Sequence, residues 1–177
     1  LHDALPILFT AITAVLSQIA IPLPFTTVPI TMQVFAIYLS GIILGRKLGF
    51  LSQIVYLLLG AIGAPVFAQF AGGMQCLVGP TGGFLIGFPI IAYIIGIIPD
   101  KKLSVIKSLA ILIASIILLY AMGAIQLSIV AKISLSKAIM IGALPFIPLD
   151  IVKIIVAYGI GMKIRARLEK GNLIKSC

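Results

Sequence analysis

Leu103-Ser-Val-Ile-Lys-Ser-Leu-Ala-Ile-Leu-Ile-Ala-Ser-Ile-Ile-Leu-Leu-Tyr-Ala-Met-Gly-Ala-Ile-Gln-Leu-Ser-Ile-Val-Ala131 contains one charged residue, Lys107. An apolar run of about 18 or more residues with few charges reads as a membrane-crossing helix. This one exceeds a single crossing, so we expect it to tilt or to continue past the interface. Working outward, further apolar runs alternate with Gly, Pro and basic clusters. They predict six helices near residues 5–21, 31–45, 48–66, 82–98, 103–131 and 149–167.

The composition agrees. The 177 residues are 62% hydrophobic and only 10% charged, and the mean hydropathy is +1.29. Soluble domains are roughly 45–50% apolar and about 25% charged. A cytosolic enzyme domain, a secreted disulfide scaffold and a disordered chain are therefore excluded. Six crossings use roughly 120 residues, and a seventh would be cramped. The expected fold is an all-α membrane protein, a six-helix bundle forming a single integral membrane domain over residues 1–177. We expect residues 1–7 to be non-native and residues 168–177 to be a basic cytoplasmic tail, and give His2 and Asp3 no functional weight.

The net charge of +9 raises nucleic-acid binding as a possibility, and the distribution of charge removes it. With both termini on one side, that side holds Arg46, Lys47, Lys101, Lys102, Lys107, Lys163, Arg165, Arg167, Lys170 and Lys175. The other side holds Lys132 and Lys137, and Lys153 is intramembrane. The imbalance places both termini in the cytoplasm of a multi-pass plasma-membrane protein. A nucleic-acid stripe would not alternate with the spans. Cys76 and Cys177 lie far apart, and the single His2 rules out a multi-histidine metal site.

Three unusual features then share the outer side. Residues 22–29, Pro-Leu-Pro-Phe-Thr-Thr-Val-Pro, are uncharged and proline-rich, which predicts an ordered extended loop, with Thr31 capping the second span. Residues 67–81 are uncharged and glycine-rich. The start of the last span carries Asp150 and Lys153, at i and i+3 on one helical face. A charge at membrane depth costs about 2.5–3.5 kcal/mol on insertion scales and usually marks function. Lys153 also stands near the positive end of a helix dipole, where an ammonium needs an anion. Asp150 is one such anion and a ligand carboxylate another. Alternatively, the two charges simply neutralise each other at the helix end.

Gly79-Pro-Thr-Gly-Gly83 lacks the GK[ST] of a nucleotide loop. It reads either as a tight turn with a Thr81 cap or as backbone amides offered to a ligand, together with Gly72 and Gly73. Gly41-Ile-Ile-Leu-Gly45 and Gly83-Phe-Leu-Ile-Gly87 predict close internal helix packing. Thr10-Ala-Ile-Thr-Ala14 is a small-residue face that packs internally or docks another subunit. Gln33 is a polar contact just after the first outer loop, whereas the tyrosines read as structural. No nucleophile with a base is present, and active transport would need a separate motor.

Four separated segments resemble one family in order and spacing. They are Ile21-Pro-Leu-Pro-Phe-Thr-Thr-Val-Pro-Ile-Thr-Met-Gln33, Leu59-Gly-Ala-Ile-Gly-Ala-Pro-Val-Phe67, Gly79-Pro-Thr-Gly-Gly-Phe-Leu-Ile-Gly87 and Pro145-Phe-Ile-Pro-Leu-Asp-Ile-Val-Lys153. The family is that of the biotin-specific substrate-capture (S) components of energy-coupling factor (ECF) transporters, the BioY family. The resemblance covers roughly residues 10–168. It implies biotin binding from outside as a transported substrate, with no cofactor and no enzymatic activity. It also implies partnership with a transmembrane coupling subunit and two ABC-type ATPases in the lipid bilayer. The vitamin site it implies is Asp150, Lys153, Gly72, Gly73, Gly79, Thr81, Gly82 and Gly83, beside Gln33. The aromatic after the double glycine is often Tyr in the family and is Phe84 here. Ala71 and Met74 stand where some members have small polar residues.

Biotin fits the residue chemistry. Asp150 can accept from its urea N–H groups, and Lys153 can donate to the urea carbonyl or the carboxylate, within mostly aliphatic walls. The loops 22–30 and 67–80 are expected to close as a gate. Capture of another vitamin, such as thiamine or riboflavin, is less favoured because Trp is absent and aromatics are few. A membrane-embedded enzyme and a structural or channel subunit are the remaining alternatives.

Overall fold

The computed structural model describes residues 4–174; His2, Asp3, Lys175 and Cys177 lie outside the described residues. Each of the six predicted segments carries a helix: α1 (Ala4–Ser17), α2 (Gln33–Leu44), α3 (Arg46–Ala61), α5 (Gly82–Ile95), α7 (Val105–Ala131) and α9 (Ile147–Lys170). Three short α-helices lie between them, α4 (Met74–Val78), α6 (Ile97–Asp100) and α8 (Leu135–Gly142), with a single 3-10 turn at Ala68–Phe70. By length and composition, Gly82–Asp100 and Val105–Ala131 are apolar enough to cross a membrane. A third span arises if α8 and α9, bent 56° at their break, are taken together.

The all-α expectation is corrected at residues 20–31. Strands β1 (Ala20–Leu23) and β2 (Thr26–Thr31) pair antiparallel, with Ala20 opposite Thr31 and Leu23 opposite Thr26. Each of Ile21, Leu23 and Val28 precedes a proline and is pushed towards extended backbone. Thr26, Thr27 and Val28 favour strand. The register breaks between Ile21 and Leu23, around Pro22, which has no N–H for a ladder. The same prolines end α1 at Ser17, short of the expected Ile21. The third helix likewise stops at Ala61 rather than residue 66, ahead of Gly63 and Pro65. Helix α8 was not anticipated; its start is fixed by Ser134, whose hydroxyl accepts from the Lys137 N–H at 3.2 Å.

Polarity is arranged as lipid demands. Many of the side chains turned outward on α7 and α9 are aliphatic, including Ile106, Ile113, Ile117, Ile151 and Ile155, and the exposed charges Lys107, Lys163, Arg167 and Lys170 lie towards the Asp100 end. Thr10, Thr13, Ser17, Ser40, Ser52 and Gln53 are buried where α1, α2 and α3 meet. Their hydroxyls bond mostly to carbonyls: Thr10 donates to Ser52 O at 2.8 Å and Thr13 to Phe9 O at 2.8 Å. The small-residue face of α1 therefore packs internally on α3. Between the helices lies a core that includes Ile37, Tyr56, Leu85, Ile91, Leu119 and Ile154. Leu5, in the first turn of α1, packs with Phe9, Ile43, Leu44 and Ile174.

The basic end is tied by ions. Asp100 takes the Arg46 N–H and Nε at 3.0 and 3.1 Å and Arg165 Nη2 at 3.4 Å. Arg165 also donates to Ile43 O and Glu169. These bonds join the α2–α3 turn, α6 and α9 at the end opposite Asp150.

Both GxxxG segments serve internal packing. A Cβ on Gly41 would stand 2.7 Å from Ala92 O, and one on Gly83 would strike Met122 O. Gly83→Leu should therefore cost about 1–3 kcal/mol, read as a lower thermal unfolding midpoint of the detergent-solubilised protein. Gly159, also helical, has nothing within 4 Å of such an atom. Gly159→Ala should leave the midpoint unchanged or raise it, by up to about 1 kcal/mol from helix propensity.

Candidate solute-binding site

At the end opposite Asp100, the hairpin, the start of α2, the 67–76 connection, the middle of α7 and the ends of α5, α8 and α9 line a cavity of about 210 Å³. Asp150 and Lys153 reach it from the first two turns of α9. Asp150 is only 4% exposed, so its charge needs partners inside the protein. It has two: Lys153 Nζ at 2.8 Å from Oδ1, and the Tyr120 hydroxyl at 2.7 Å from Oδ2. Lys153 Nζ also donates to Thr31 O at 2.7 Å. One ammonium thus joins α9 to the end of the hairpin, and one carboxylate joins α9 to α7. An ammonium has three N–H donors, and two are engaged by described residues.

Gln33 is placed by a second network. Its backbone N–H donates to Thr31 Oγ1 at 3.2 Å, and the Thr31 hydroxyl donates to Gln33 Oε1 at 3.0 Å. Thr31 thus orders the start of α2 from one residue before the N-cap, which is Met32 and not Thr31 as expected. Gln33 Nε2 donates to Tyr56 OH at 2.8 Å, and Tyr56 OH donates to Val66 O at 3.0 Å. Hairpin, α2, α3 and the loop after α3 are joined by this chain of bonds.

Of the residues singled out from sequence, Asp150, Lys153, Gln33 and Thr81 line the cavity. The Thr81 side chain makes no cap hydrogen bond to α5, which corrects the cap expectation. Gly72, Gly73, Gly79, Gly82 and Gly83 lie behind the wall. Gly72 abuts Ala64 O, and Gly73, at φ +99°, donates its N–H to Gly60 O at 2.6 Å. Only glycine takes that φ readily, and it turns the chain into α4. Gln126 Nε2 on α7 donates to Leu77 O and Gly79 O, both at 2.7 Å, which pins the run to α7. Gly82 N–H is spent on Gly79 O.

Beside aliphatic residues such as Val28, Val34, Leu85 and Leu119, the walls carry aromatic rings that the sequence did not lead us to expect. Phe67, Phe84, Phe88, Phe146 and Tyr120 line the cavity. Five of the fourteen Phe and Tyr residues meet here from four separate elements, which no local pattern announces. Burial pushes the Cys76 thiol upward, so it contributes a small neutral wall. Among the described residues, no group of three His, Cys, Asp or Glu side chains could hold a metal ion.

The fold and the cavity define a helical membrane protein built around a pocket for one small solute, with an apolar aromatic wall and a single ion pair. The chain belongs to the BioY family, whose model matches residues 3–170. It is 44% identical over 158 residues to the biotin transporter BioY of Thermotoga maritima, covering 89% of this chain and 92% of that protein. It is 43% identical over 146 residues to a probable biotin transporter BioY of Pyrococcus horikoshii, covering 82% and 85%. It also resembles the crystal structure of the S-component for biotin from an ECF-type ABC transporter, with TM-score 0.86, 31% identity, and 93% and 90% of the chains covered.

Breaking the buried pair should cost more than removing it. Lys153→Met strands the carboxylate and should destabilise by about 3 kcal/mol, whereas Asp150→Asn with Lys153→Met should recover much of the loss. Thermal unfolding of the single and double variants, without added solute, checks this.

Proposed function

We propose that this chain is the biotin-capture subunit of an ATP-driven vitamin importer and has no enzymatic activity of its own. Lys153 and Asp150, side by side 2.8 Å apart in the cavity, carry the reading. A urea edge offers a carbonyl acceptor and an N–H donor side by side, matching one ammonium and one carboxylate. A neutral urea leaves the pair balanced, while a second carboxylate beside Asp150 would add an uncompensated charge. The biotin carboxylate then points away, towards polar groups on the outer walls such as Thr27, Gln69 and Thr81, which also line the cavity. The aromatic rings suit the apolar bicycle. Gln33 and Thr81 supply polar contacts, and Gly72, Gly73, Gly79, Gly82 and Gly83 let the walls approach.

The protein crosses the plasma membrane six times with both termini cytoplasmic, in keeping with the excess of Lys and Arg at the Asp100 end. The cavity then opens outward, and the hairpin and the 67–80 connection close over the vitamin. The cargo is biotin, and no cofactor is needed. Without a nucleotide loop of its own, the chain works with a transmembrane coupling subunit and two ABC-type ATPases. The aromatic wall favours one second reading, capture of a flat aromatic vitamin such as thiamine or riboflavin.

Isothermal titration of the detergent-solubilised protein tests both. One-site biotin binding is expected, weakened by about 2–5 kcal/mol in Asp150→Asn and in Lys153→Ala. Unchanged affinity in both variants overturns the site. Folded protein that gives no heat with biotin, but gives it with thiamine or riboflavin, establishes the second reading.

A further inference from the structure

Residues 66–71 form a cavity wall through Phe67, Ala68, Gln69 and Ala71. The segment folds back on itself, with Phe67 N–H donating to Ala71 O at 3.0 Å. Inside that bridge, Gln69 and Phe70 both have positive φ, +60° and +56°. Neighbouring non-glycine residues in the left-handed region are unfavourable and persist only where the surroundings impose them. Phe70 contributes little packing to offset this, since it is 71% exposed.

One side chain spans the turn. Gln18, the residue after α1, donates from Nε2 to Phe67 O at 3.0 Å and accepts from the Phe70 N–H at its Oε1, at 2.7 Å. Its Nε2 also lies 2.8 Å from Ser17 Oγ and 3.1 Å from Ala14 O, so the amide is seated on the end of α1. Ser17 and Tyr56 hold only the start of the segment, at Val66 O. A primary amide presents a donor and an acceptor together, and the turn needs both. Gln18 is not among the cavity-lining residues.

We propose that Gln18 is a positioning residue for the binding site: its amide clamps the left-handed turn at Gln69 and Phe70, keeps Gln69 in the cavity wall, and so sets how long a bound solute is retained. The proposal rests on the biotin-capture reading for its ligand, while the clamp itself is measurable without one. In Gln18→Ala the turn relaxes to negative φ and the wall opens. Gln18→Glu keeps an acceptor for Phe70 but loses the donor to Phe67 O, and should behave similarly with little change to α1.

Two measurements on the full chain in detergent decide it. Hydrogen–deuterium exchange of the solute-free protein should rise about tenfold across residues 66–71 in both variants, with the α5 and α7 segments unchanged. Dissociation of tritiated biotin should quicken about tenfold, with a smaller change in association. Unchanged exchange at 66–71 in both folded variants overturns the clamp. Faster exchange with unchanged biotin dissociation overturns the role in retention. A parent protein that binds no biotin sinks the capture reading instead, and exchange alone then decides whether Gln18 holds the turn.

Discussion

The contact on which the solute-binding end depends is the one between Lys153 and its two oxygens. Buried as they are, neither charge of the Asp150–Lys153 pair can be left alone, and their hydrogen-bonding capacity extends past each other. The ammonium takes Thr31 O, which closes the hairpin against α9. The carboxylate takes the Tyr120 hydroxyl, which closes α7 against α9. Three elements distant in sequence are brought to one point because a buried ion pair is stable only when its remaining donors and acceptors are met. The cavity is the space that this meeting leaves open.

A second layer of neutral hydrogen bonds fixes the rest of the rim. Thr31 orders Gln33, Gln33 meets Tyr56, and Tyr56 holds the carbonyl of Val66. These groups sit in weakly polar surroundings, where an unmet polar atom is costly and a satisfied chain is rigid. Gly72, Gly73, Gly79, Gly82 and Gly83 act from behind the cavity wall. Their value is close approach of backbone to backbone, so that side chains such as Thr81, Phe84 and Leu85 are presented to the cavity. The opposite end is organised around Asp100, Arg46 and Arg165. The helices are therefore pinned at both ends by charge and packed between them by aliphatic and small residues.

Much of this was legible in the chain. Hydropathy located the helices to within a few residues, because a lipid-facing helix must be apolar along its length whatever it packs against. Asp150 and Lys153 stood out because charge is so scarce. The hairpin was visible only as proline-rich extended chain, since pairing depends on a partner strand. Helix α8, short and flanked by ordinary residues, had only Ser134 to announce it. Tyr120 carried no signal at all, being one tyrosine among several in an apolar run.

Sequence alone determined the membrane class, the positions of the main helices, the unequal share of basic residues between the two ends and the identity of the ion pair. Each of these follows from composition or from local periodicity. Tertiary structure decided which residues line the cavity together, such as Tyr120 and Phe84 with Asp150, and which hold its walls from behind, Tyr56 through Gln33 and Gln18 through the backbone of Phe67 and Phe70. Those pairings join residues dozens of positions apart. Their physical cause, satisfaction of buried donors and acceptors, operates only once the helices have met.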